Sequence, residues 1–151
     1  MFLLTRLTRL FATRRDGPSA SPQAREQLAV AALLVHVARI DGTVRESERR
    51  RLAEILTRRF GSDLEDAARL VEEAGELDHQ TGDLDALIDL LGRETDMPER
   101  RRILGLACEV AGSDGSLHEF EDGVLWRLGR ALGLDEAALA EAKALALRPA
   151  S

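Results

Sequence analysis

Apolar side chains recur every three or four positions along most of this chain. Between residues 24 and 38 they stand at Leu28, Ala31, Ala32, Val35 and Ala38. This spacing is typical of one face of an α-helix, and no segment alternates with the two-residue period of a strand. The same pattern predicts six further helices, over 44–56, 64–77, 84–91, 98–111, 117–132 and 135–147. We therefore predict an all-α fold, a compact single-domain bundle of about seven helices.

The first 23 residues follow a different pattern. Residues 1–15 carry four arginines and no acid, with apolar residues near helical spacing, which predicts an amphipathic basic arm. Residues 16–23 are rich in Pro, Gly and Ser and indicate a linker, so the helical domain is expected over 24–148. Two hypotheses for the arm stay open. In the first, the arm packs on the domain or on a second subunit. In the second, residues 2–11 make weak peripheral contact with a membrane. The protein is expected to be a monomer or a homodimer.

Composition narrows the class of protein. With 151 residues, of which 44% are hydrophobic and 32% charged, the chain can bury one sizeable core. The net charge of −6 opposes nucleic-acid binding, and thirteen acids are concentrated between residues 61 and 99. A single cysteine excludes an internal disulfide, and no apolar run approaches the roughly 20 residues that cross a bilayer. We expect a cytoplasmic protein with protein partners.

One acidic motif occurs twice. The sequence ARIDGTVRESE at residues 38–48, the first acidic corner, returns as AGSDGSLHEFE at residues 111–121, the second acidic corner. The offset of 73 residues also matches apolar positions on both sides of the corners, namely Leu33 with Leu106, Val37 with Val110, Leu52 with Leu125, and Ile55 with Leu128. Two copies at this period indicate a duplicated helix pair rather than a solenoid.

Helix geometry explains part of each corner. Gly42 and Gly115 suit the left-handed position that follows a helix. The segments 43–46 and 116–119 have the form of a capping box, in which a Thr or Ser caps the helix and a Glu reaches back three residues. The acids that capping leaves unexplained are Asp41, Glu48, Asp114 and Glu121.

The spacing of these four acids resembles part of a calcium-binding EF-hand loop. Each corner reproduces the second half of the loop, with the Gly of the sharp turn and the final Glu, but lacks the first two acidic positions. Calcium prefers about six to eight oxygen ligands, so one corner alone should bind weakly, whereas the two together could hold a divalent metal, Ca²⁺ or Mg²⁺. The alternative is an adaptor module whose acidic face is structural or binds a protein partner without metal, since like charges on a solvated face cost little.

The two corners, each after an Ala-rich helix and separated by an acidic helical middle, resemble the TerB family of tellurite-resistance-associated proteins over about residues 24–147. The resemblance implies a compact helical fold in which the acids of the two halves converge on one surface. It also implies a role in stress response and a divalent metal at the four acids named above. A similar module occurs beside J-domains in co-chaperones. This chain lacks the His-Pro-Asp tripeptide of those domains, so we expect no co-chaperone activity of its own.

Other candidate ligands are weaker. His36 and Glu109 stand five residues before the Asp of the first and second corner, and either could add a ligand. A helical spacing of five turns them away from that face, which favours a packing or surface role. His79 and His118 have no neighbour at the spacing of zinc ligands.

We find no signature of an enzyme. The chain lacks a Gly-x-Ser-x-Gly elbow, a phosphate-binding Gly loop and a His-Glu-x-x-His motif. Cys108 stands among apolar residues and is expected in the core. Trp126 shares its segment with Leu125 and Leu128, so we expect it in the core, with an interface anchor as the alternative. The run RESERRRL at 45–52 predicts Glu–Arg pairs within one helix.

Overall fold

The computed structural model describes residues 21–39, 44–92, 95–112 and 119–146, with residues 119–122 as backbone. The described residues form seven α-helices and no strand, which confirms the predicted all-α fold. The helices are α1 (Pro22–Ala38), α2 (Glu46–Phe60), α3 (Leu64–Thr81), α4 (Leu84–Leu91), α5 (Met97–Ala111), α6 (Glu119–Ala131) and α7 (Glu136–Ala146). The predicted basic arm lies outside the described residues. None of the described helices combines the length and hydrophobicity that crossing a bilayer requires.

Most described helices begin at a side-chain cap. Aspartate carboxylates accept a hydrogen bond from a backbone N–H two or three residues further on, at 2.7–3.2 Å, before α3, α4, α5 and α7. Ser21 caps α1 in the same way, ahead of Pro22. The capping aspartates are Asp63, Asp83, Asp96 and Asp135. Three of the thirteen acids between residues 61 and 99 therefore serve to start helices.

Helix α1 is the centre of the bundle. Its residues from Leu28 to Val35 are all buried, with no more than 4% of any side chain exposed. A helix that is apolar on every side belongs in the interior, and α1 packs against α2, α3, α4, α5 and α6. The remaining helices surround it, with α7 packed on α5 and α6. The spacing in the sequence predicted one buried face for this helix, whereas the structure covers the whole circumference of its middle.

The core contains the expected aliphatic residues but not the tryptophan. Cys108 is fully buried in α5, as predicted. Trp126 is 48% exposed, so its assignment to the core is wrong. Leu125 and Leu128 form the buried face of α6, and Trp126, one residue after Leu125, is rotated about 100° away from it. Its ring instead lies 5.7 Å from the guanidinium of Arg130.

Candidate functional site

Only part of the predicted four-acid site falls within the described residues. Asp41 and Asp114 lie outside them, and Glu121 is described as backbone in the first turn of α6. Glu48 lies in the first turn of α2, where its carboxylate is 3.1 Å from the guanidinium of Arg45. Over the described ranges, no group of three or more His, Cys, Asp or Glu side chains could hold a metal ion. The four-acid site therefore stays a prediction.

The structure corrects the start of the helix after the first corner. Helix α2 begins at Glu46, with Arg45 as its N-cap, and the Arg45 side chain makes no capping hydrogen bond. A capping box with Thr43 as the cap would need Glu46 as the third helical residue, whereas Glu46 is the first. The first predicted capping box is therefore wrong, and the second lies outside the described residues. Glu46 and Glu48 in the first turn still stabilise the start of α2, because the helix dipole is positive there.

Ion pairs join helices α2 and α5. Near the end of α2, Arg59 donates a hydrogen bond to Glu99 in the first turn of α5. Closer to the start of α2, the guanidinium of Arg51 is 3.6 Å from the carboxylate of Glu109, which is close to the end of α5. These ion pairs join the helix that follows the first corner to the helix that leads into the second corner.

The arginine-rich run of α2 is only partly paired within its own helix. Arg45 pairs with Glu48 within this run, as the sequence predicted, and Arg51 pairs with Glu54, which follows the run. Glu109 of α5 also accepts a hydrogen bond from Arg58, in addition to its contact with Arg51. Glu109 thus has the surface role that was favoured over a ligand role.

Asp78 in α3 is the one charged side chain that is fully buried among the described residues. Its Oδ1 is 2.8 Å from Nδ1 of His36, and its Oδ2 accepts a hydrogen bond of 2.7 Å from Nε of Arg39. Burial by itself would raise the pKa of this carboxyl, but the hydrogen bonds and charge attraction of His36 and Arg39 outweigh burial and hold the pKa below its ordinary value. Asp78 is therefore a carboxylate at neutral pH.

The Asp78 contacts fasten the end of α1 to α3 directly before the first acidic corner. His36 lies in the last turn of α1, and Arg39 is its C-cap residue, two positions before Asp41. His36 is accordingly the partner of Asp78 through Nδ1, in agreement with the packing role expected for it. Sequence reasoning missed Asp78 itself. The available signal was its register, because Asp78 stands four residues after Ala74 and seven after Val71 on the apolar face of α3.

Comparison with known protein families identifies a match. A family model described as tellurite resistance protein TerB matches residues 27–144, which is most of the chain and spans all seven helices in whole or in large part. No significant match is found among curated proteins or among solved structures.

Proposed function

The chain belongs to the TerB family, and from this premise we propose that it is a non-enzymatic protein of the stress response, associated with tellurite resistance. We propose further that it binds a divalent cation through its two acidic corners. The observation that supports metal binding most directly is the set of ion pairs between α2 and α5. These pairs hold the helix that follows the first corner against the helix that leads into the second. Carboxylates from the two corners would then be available to a single ion.

The chemistry of the corners suits a hard cation. The four proposed ligands supply only carboxylate oxygens, which Ca²⁺ and Mg²⁺ prefer, and four carboxylates together could provide about six to eight oxygens. Glu48 would have to give up its pair with Arg45. That pair is weak, since the Arg45 side chain is 76% exposed and exposed ion pairs contribute about 0–1 kcal/mol. Its loss would not prevent binding.

Thermal unfolding with added cations tests this proposal. A ligand that binds only the native state stabilises it by RT ln(1 + [L]/Kd), or about 2.7 kcal/mol at a cation concentration 100 times Kd. We expect Ca²⁺ or Mg²⁺ to raise the melting temperature of the full chain. Replacing both Asp41 and Asp114 by Asn should remove that rise. Asp89→Asn, which neutralises an exposed acid in the second half of α4, is the matched control and should keep it.

Two outcomes would contradict metal binding. One is a melting temperature that does not change with Ca²⁺, Mg²⁺, Mn²⁺ or Zn²⁺, and the other is an equal rise in the double variant. Either result would favour the alternative, in which the acidic corners form a structural or partner-binding face. In both hypotheses the chain works as a binding protein and catalyses no reaction.

A further inference from the structure

A positively charged groove lies between α2, α5 and α7. The protein as a whole has a net charge of −6, yet five arginines line this groove against two glutamates, Glu109 and Glu141. The arginines are Arg51, Arg58, Arg59, Arg101 and Arg102. We refer to this surface as the arginine groove. Its charge is opposite to that of the protein, which indicates a ligand that carries negative charge.

The arginine groove is also lined by apolar residues, most of them small, which we call its floor. Gly105 and Leu106 contribute from α5, and Ala138, Ala142 and Leu145 from α7. Leu145 is 57% exposed, the highest value among the large apolar side chains of the described residues. A Cβ added at Gly105 would meet no atom within 4 Å, so the space above the floor is open. Small residues let the backbone of another helix approach closely.

The size of the groove suits a helix. Its volume is about 860 Å³. An α-helix about 10 Å in diameter with a rise of about 5.4 Å per turn occupies roughly 420 Å³ per turn, so the groove volume equals that of about two turns. A ligand that fills it must combine an apolar side for the floor with acidic side chains for the rim.

The arginines of the rim are not neutralised by the described residues around them. Arg51 and Arg58 share Glu109, and Arg59 and Arg102 share Glu99. Arg51 also pairs with Glu54, so three carboxylates serve four guanidinium groups. Arg101 is exposed and has no ion pair among the described residues. Guanidinium groups bind carboxylates through paired hydrogen bonds, which makes acidic side chains suitable partners.

We propose that the arginine groove docks an acidic amphipathic helix of a partner protein. Three other occupants fit less well. The basic arm of residues 1–15 would be repelled, because it carries four arginines and no acid. Helix α3 of a second copy is acidic, but its apolar residues from Ala67 to Leu77 are buried in its own core and could not reach the floor. A membrane surface is flat, whereas the groove lies between three helices. The proposal uses neither acidic corner and is therefore independent of metal binding.

Fluorescence anisotropy with two synthetic helices tests the proposal on the full chain. The probe is a labelled peptide of about 18 residues, with Leu at positions i, i+3, i+4 and i+7 and Glu on both sides of this stripe. In the control peptide every Glu is replaced by Lys. We expect the acidic peptide to bind at least about tenfold more tightly than the basic one, with an affinity that falls as salt rises.

Variants locate the binding surface. Arg101→Glu and Leu145→Ser should each weaken binding of the acidic peptide by about three- to tenfold. The matched controls are Arg127→Glu and Leu64→Ser, which change exposed residues outside the groove and should leave binding unchanged. All four side chains are exposed, so the fold should tolerate the changes.

Equal affinity for the two peptides would overturn the proposal, as would an absence of binding up to about 1 mM. Losses of the same size in the groove variants and in their controls would also overturn it. The remaining alternative is a lipid surface. If the full chain co-sediments with phosphatidylglycerol vesicles, loses this binding in Arg101→Glu and does not bind the acidic peptide, the groove recognises anionic lipid and the helix proposal is wrong.

Discussion

Replacing Asp78 by Asn should lower the free energy of unfolding by about 3 kcal/mol. Removing one partner of a buried ion pair costs about 3–5 kcal/mol, because the remaining charge is left in the interior without compensation. The lower end applies here, since the Arg39 side chain is 37% exposed and can turn towards water, whereas His36 is 17% exposed and stays largely enclosed. A domain of this size has a total stability of about 5–15 kcal/mol, so the loss is a large fraction of it.

Urea unfolding followed by far-UV circular dichroism measures this loss. The midpoint should fall while the dependence on urea concentration stays the same, because the variant exposes the same surface on unfolding. In thermal unfolding the melting temperature should fall by about 10 °C. The control is Asp66→Asn in the same helix. The carboxylate of Asp66 is 56% exposed and pairs with Arg69, so its removal should change stability by less than about 0.5 kcal/mol.

The contribution of Asp78 should also depend on pH in one direction. Its pKa in the folded protein lies below the ordinary value of 3.8, so the folded state favours the ionised form. The stabilisation is therefore present above the pKa of the unfolded chain and is lost as the pH falls through the folded pKa. The difference in the free energy of unfolding between wild type and Asp78→Asn should have its maximum value at pH 5. It should decrease progressively as the pH falls below 3.8. A gap under about 0.5 kcal/mol at neutral pH, or one that does not close in acid, would refute this reasoning.

Two further predictions concern backbone and packing. Gly75→Ala in the middle of α3 should stabilise the protein by about 0.5–1 kcal/mol, because nothing lies within 4 Å of the added Cβ. Gly82→Ala should instead destabilise it by about 1 kcal/mol or more, since φ is +63° at this helix end. In α6, Leu125→Ala should cost about 2–5 kcal/mol, whereas Trp126→Ala should cost less than about 1 kcal/mol. Urea unfolding checks all four variants, and equal costs at the two α6 positions would contradict the exposed placement of Trp126.

The sequence by itself was sufficient to identify the helices. Hydrogen bonds of an α-helix join residues four apart, and the apolar period that predicted 84–91 and 98–111 is equally local. The burial of Cys108 also followed from its apolar neighbours. Helix starts were less accurate, because a capping signal in the sequence does not say which residue makes the first turn. For this reason the N-cap of α2 is Arg45 and not Thr43, the residue that the sequence predicted.

The sequence also predicted the two acidic corners and their four acids, because the repeated motif and its constant offset can be found by comparing the chain with itself. It could not show that the helix after the first corner is joined by ion pairs to the helix before the second. That arrangement depends on ion pairs such as Arg59 with Glu99, which are 40 positions apart.

The tertiary structure alone decided the surroundings of individual side chains. In the sequence, Asp78 is one of thirteen acids between residues 61 and 99. In the structure it is buried and bonded to His36 and Arg39, which are 42 and 39 positions away. The exposure of Trp126 likewise depends on which face of α6 meets its neighbours. Helical periodicity specifies the relative rotation of side chains on one helix, but burial, charge pairing and grooves arise only where different helices pack, and the contacts between them join distant parts of the chain.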